Sequence, residues 1–183
     1  MSRLLSLSRV IDTINTKIGK AMGWFILAAV MVSSINALVR FTFNRSSNSW
    51  LELQWYLFGA VFLLGCAYTF QQNEHIRIDI ISSRLSKRTR DWIDVIGHIF
   101  FLTPLCLVVI YLSWPFFLRS FQQGEISSSA GGLIVWPAKL LLPVGFSLLL
   151  AQGLSELIKR VAIMRGLIED PHANSAGAHG TVE

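Results

Sequence analysis

Four long apolar runs, at residues 21–39, 50–70, 92–112 and 136–156, are set apart by charged or polar stretches. A 19-residue run at about 1.5 Å per residue reaches roughly 28 Å, enough to cross a hydrocarbon core. The pattern predicts an all-α integral membrane protein with four transmembrane helices, residues 21–166 forming one membrane domain. Ahead of the first run, Leu4, Leu7, Ile11, Ile14 and Ile18 recur at alternating gaps of three and four, which places them on one helix face. Arg3, Arg9, Asp12, Lys17 and Lys20 take the other faces. Residues 1–20 are therefore expected to form an N-terminal amphipathic helix, lying at the membrane interface or packed against a partner of the protein. Residues 167–183 are small and polar, and read as a disordered cytoplasmic tail.

The polar positions inside this pattern are the candidates for function. The second run opens W-L-E-L-Q-W-Y, with Trp50, Trp55 and Tyr56 suited to the headgroup level beside Glu52 and Gln54. Glu52 suits a helix N-terminus. It equally suits a contact with another subunit, because a carboxylate so near hydrocarbon is costly without a partner. In the connection 71–91, His75, Arg77 and Asp79 alternate with Ile76, Ile78 and Ile80, an extended pattern in which Asp79 caps a short basic helix. Asp94 and His98 stand four apart on one face, as a proton relay or as a simple interfacial hydrogen bond. Pro104 marks a kink in the third run. The stretch 125–139, E-I-S-S-S-A-G-G-L-I-V-W-P-A-K, is unusually detailed for a connecting loop. Gly131 and Gly132 permit backbone conformations that other residues resist. Trp136 fits the interface, Pro137 the first turn of a helix, and Lys139 can reach back to the headgroups. Pro143 and Gly145 bend or thin the last helix for close packing.

Composition agrees with the pattern. Of 183 residues, 52% are hydrophobic and 15% charged, against about 25% charged in an ordinary soluble domain. The net charge of +5 comes from residues that flank the apolar runs, so membrane lipid is the expected partner and nucleic acid is not. With four spans, one side holds 12 basic residues: Arg3, Arg9, Lys17, Lys20, Arg77, Arg84, Lys87, Arg88, Arg90, Lys159, Arg160 and Arg165. The other holds 4, Arg40, Arg45, Arg119 and Lys139, which places both termini in the cytoplasm. Cys66 and Cys106 lie inside apolar runs, as small membrane-embedded thiols. No nucleotide, hydrolase or zinc motif is present, and no catalytic, cofactor-binding or metal residue is assigned. Haem lacks its paired intramembrane histidines.

In these segments the chain resembles the small membrane subunit, the Q-type small permease, of tripartite ATP-independent periplasmic (TRAP) transporters. The carriers are W-L-E-L-Q-W-Y from Trp50, H-I-R-I-D from His75, the 125–139 stretch, P-V-G-F at Pro143 and Q-G-L-S-E-x-I-K-R up to Arg160. Position 134 is Ile where the commoner form of the motif has proline. The resemblance implies a bacterial inner-membrane protein that scaffolds a large membrane permease subunit and helps dock a periplasmic substrate-binding protein. It implies ion-gradient-driven uptake of an organic anion, commonly a carboxylate, with sodium handled by the large subunit and no cofactor here. Trp50, Glu52, Gln54, Arg77, Asp79, Glu125, Gly131, Gly132, Trp136 and Lys139 are the candidate subunit-interface residues. An alternative is a membrane-anchor subunit of a quinone-linked enzyme complex, for which His98 with Asp94 is the only candidate site. A weaker third is a small transporter working alone.

Overall fold

The structure, a computed structural model, describes residues 2–44, 47–72, 87–164 and 166. Arg77, Asp79, the alternating segment around them and the 167–183 tail lie outside the described residues. Within them the chain is helical almost throughout, as a bilayer requires of backbone that must satisfy its own hydrogen bonds. The order is α1 (Ser2–Phe43), α2 (Asn48–Gln71), α3 (Lys87–Gly97), a π-helical turn (His98–Leu102), α4 (Thr103–Gln123) and α5 (Trp136–Met164). Four helices are long and apolar enough to span: α1, α2, the unit running from Trp92 to Gln123, and α5. Fold class and span number are as the apolar runs predict.

The boundaries differ in three places. Residues 1–20 and 21–39 are not separate elements but one helix of 42 residues, about 63 Å long. No proline lies between them, so hydropathy changes at residue 20 while the backbone does not. The apolar stripe of this part stays largely outward, with Leu4, Leu7 and Ile14 exposed, while Ser8 and Asn15 are buried. The third unit continues past residue 112 to Gln123, carrying Pro115 inside it, which shortens the following connection to 124–135. The irregularity expected at Pro104 takes the form of the π-helical turn. There the Thr103 N–H reaches back five residues to the His98 carbonyl, just before a proline that has no N–H to offer Phe100.

α5 is the hub, touching every other element. Its most apolar window is 33% buried, against 11% for each of the other spans. The residues it buries include Gly145, Leu149, Gln152, Gly153 and Ser155. A Cβ at Gly145 would stand 2.8 Å from the Leu63 carbonyl oxygen, so α2 and α5 meet backbone to backbone. The apolar core elsewhere is also small, Ala29, Ala60, Ala67, Cys106 and Ala162 among it, while Trp24, Phe41, Phe62 and Tyr111 face outward. Small residues between helices and large ones toward lipid is the packing expected where helix association gains no hydrophobic drive.

Candidate functional site

Residues 124–135 form a compact hairpin between α4 and α5. Gly124, at φ 58°, closes α4 in the left-handed conformation, and the Glu125 N–H returns to the Ser120 carbonyl at 3.1 Å. The Ser127 N–H then donates to Leu133 O and the Val135 N–H to Glu125 O, both at 2.9 Å. These bonds flank an isolated antiparallel bridge between Ile126 and Ile134. The tip closes through the Gly132 N–H on Ser129 O at 2.9 Å. Gly131 has φ 70°, and a Cβ at Gly132 would come within 2.6 Å of the Ser127 Cβ, so the Gly-Gly pair is demanded by this turn.

Glu52 anchors the hairpin from the first turns of α2. Its Oε2 accepts the Leu133 N–H at 2.7 Å, and its Oε1 accepts the Ser127 hydroxyl. At 7% exposure it is the buried acid of this end of the bundle, and the partner its carboxylate requires is on its own chain. Asn48 Nδ2 donates to Ala130 O at 3.2 Å, and the Ser49 hydroxyl donates to Gly131 O. The base of the hairpin is held by a second pair. Lys139 donates to Glu125 Oε2 and sits 4.0 Å over the Phe116 ring. Its side chain is 13% exposed, so it turns inward rather than reaching to the headgroups. The Lys139 hydrogen bond holds the Glu125 carboxyl below the usual carboxylate range. Trp136 stacks edge-on against Phe121, with centroids 5.3 Å apart. Pro137 lies in the first turn of α5, where the Val135 carbonyl accepts from Ala138 and Lys139.

Of the candidate residues, the structure gathers Glu52, Glu125, Gly131, Gly132, Trp136 and Lys139 into this one assembly. Trp50 is exposed at the rim. Gln54 leaves α2 on a different face, toward α1. Sequence reasoning passed over Ser49, Ser127 and Phe116 as individual contributors. The serine run 127–129 was the available signal, since hydroxyls beside a Gly-Gly turn are ready donors to a nearby acid.

A second polar cluster joins α1 to α5 at the other end. Asp12 accepts from Gln152 Nε2 at 2.9 Å, Ser155 Oγ at 2.9 Å and Lys159 Nζ at 3.1 Å. Asn15 Nδ2 donates to Gln152 Oε1 at 2.7 Å, and the Ser8 and Ser155 hydroxyls meet at 2.7 Å. Arg160 pairs with Asp94 at 2.9 Å, tying α3 to α5. Asp94 and His98 do not join side chain to side chain. The His98 Nδ1–H donates to the Asp94 carbonyl, and the ring lies tilted against Phe70, with centroids 5.2 Å apart.

A protein-family model described as "Tripartite ATP-independent periplasmic transporters, DctQ component" matches residues 29–162, which take in the hairpin, Glu52 and most of α5. No individual curated protein matches the chain.

Proposed function

We infer the role of this chain from its family: it belongs to the tripartite ATP-independent periplasmic transporters, DctQ component. It is a transporter component with transmembrane helices, not an enzyme, and the quinone-linked anchor is set aside by that membership. In our reading it scaffolds a large membrane permease subunit in the bacterial inner membrane, with both termini cytoplasmic. Its hairpin helps dock a periplasmic substrate-binding protein. The transported species is an organic anion, a carboxylate, driven by an ion gradient whose sodium sites lie in the large subunit.

One observation supports the docking role most directly. The 124–135 hairpin is fixed at both ends by Glu52 and by the Glu125–Lys139 pair, yet it leaves Ile126 64% and Ile134 51% exposed on its bridge. A preorganised loop with two apolar side chains loses little freedom on meeting a soluble partner. The test is uptake by the reconstituted three-component transporter carrying Ile126→Asp with Ile134→Asp. Binding-protein-dependent uptake should fall by roughly tenfold, as for loss of an interface anchor, while the two membrane subunits still co-purify. Unchanged uptake would remove the docking role and leave family membership untouched.

A further inference from the structure

At the hairpin end of the bundle, α1 and α2 leave a groove of about 680 Å³ between them. Ser33, Asn36 and Arg40 line it from α1, Asn44 from just past the helix end, and Leu51 and Gln54 from α2. On α1, Ser33, Asn36 and Arg40 recur at gaps of three and four, one face followed for about two turns. The groove starts at the end of the helix and runs about 10 Å into the span between Arg40 and Ser33. Phe41 lines it and is exposed, and Trp50 and Trp55 are exposed in the first two turns of α2, aromatic residues of the kind that favour the headgroup level.

The chemistry of the lining is one-sided. It offers one guanidinium, three amides and one hydroxyl, and no carboxylate. The acids nearest in the fold are already engaged, Glu52 by the hairpin and Glu125 by Lys139. Among the described residues no ion pair neutralises Arg40. A cation and four further polar groups gathered at this end of the span suit an anion or acceptor from outside the chain.

We propose that this groove binds the phosphate headgroup of an anionic glycerophospholipid in the leaflet on the hairpin side. Arg40 takes the phosphate oxygens in the fork geometry that guanidinium offers. Asn36, Asn44 and Gln54 supply neutral hydrogen bonds to the glycerol esters and headgroup hydroxyls. The volume lies in the range of organic-ligand sites and is larger than a bare ion needs. The lack of any carboxylate leaves a zwitterionic lipid's ammonium without a partner, so a headgroup with net negative charge is favoured. A polypeptide partner would have to bring its own acid to this depth and desolvate it, whereas the lipid already resides there.

Native mass spectrometry of the purified full chain tests this, with phosphatidylglycerol, phosphatidylcholine and soluble glycerol 3-phosphate as probes. Phosphatidylglycerol should be retained about fivefold more strongly than phosphatidylcholine, the scale of one arginine at a charged lipid surface. Arg40→Gln should erase that preference and Gln54→Leu should reduce it. Arg119→Gln, which changes an exposed arginine of α4, should leave it intact. Glycerol 3-phosphate should not compete. Equal retention of the two lipids overturns the proposal, as does an Arg40→Gln chain that keeps the preference. Displacement by glycerol 3-phosphate would mean a site for free anions. Cross-linking of Asn36→Cys to the large subunit in the assembled complex, with loss of bound lipid, would mean that protein fills the groove.

Discussion

At the hairpin end of the bundle a loop is held by a few contacts, of which Glu52 is the one that takes a backbone N–H from it, beside Asn48, Ser49 and the Glu125–Lys139 pair. At the opposite end Ser8, Asp12, Asn15, Gln152, Ser155 and Lys159 share a network between two helices. The first arrangement concentrates its strength. The Leu133 N–H and the Ser127 hydroxyl both point at a single carboxylate, and removing it strands a backbone donor. The second is redundant, because Asp12 receives three donors and survives the loss of one. The difference follows from what each must hold. A twelve-residue loop has no regular ladder of its own beyond one bridge, whereas α1 and α5 are already helices and need only be kept in register.

The comparison orders the expected effects of substitution. Glu52→Ala should be the most severe, because it strands the Leu133 N–H and the Ser127 hydroxyl at once. Amide exchange at Leu133 should accelerate by about two orders of magnitude; unchanged protection there would mean the hairpin stands without its anchor. Gln152→Leu should cost about 1 kcal/mol, in keeping with hydrogen bonds between membrane helices, read as a lower melting temperature in detergent. A loss as large as that of Glu52→Ala would show that the α1–α5 network is not redundant.

Acid should loosen the hairpin, and the sign is fixed by Glu125. Its carboxyl lies below the ordinary value of 4.5 because Lys139 hydrogen-bonds to it. The open hairpin therefore binds the proton more readily than the closed one. The pair's contribution is fully present above pH 4.5 and is lost as pH falls through the lowered value. Protease sensitivity of residues 124–135 should rise over that interval, and Lys139→Met should abolish the rise. The smallest effect expected is from Ile134→Pro. Neither bridge hydrogen bond uses the Ile134 N–H, so the substitution should leave the melting temperature unchanged, within about 0.5 kcal/mol. A clear destabilisation would mean that this turn depends on Ile134 in some other way.

The same contrast explains what could be read beforehand. The four spans were legible because bilayer thickness imposes a length on apolar runs. The hairpin was half legible. Gly131, Gly132, Trp136 and Pro137 announce a turn and a helix start within a few residues of one another. Glu52 announces the need for a partner, but not which one, because Leu133 and Ser127 lie far along the chain. The Glu125–Lys139 pair emerges only once the hairpin brings its two ends together. The α1–α5 network was scarcely visible, since Asp12, Asn15, Gln152 and Ser155 are single polar residues at helical spacing, and nothing local matches one helix face to another. Asp94 and His98 were half legible: their spacing does join them, but through the Asp94 backbone carbonyl, while Arg160 takes the carboxylate.

The unbroken course of α1 decides how the molecule meets bilayers of different thickness. A helix of 42 residues without an internal joint cannot shorten its reach by folding at residue 20. Its neighbours are not free to slide past one another either, because the Gly145 backbone lies against that of Leu63. Hydrophobic mismatch must then be met by tilting all the spans together, or by the surrounding lipid stretching or compressing.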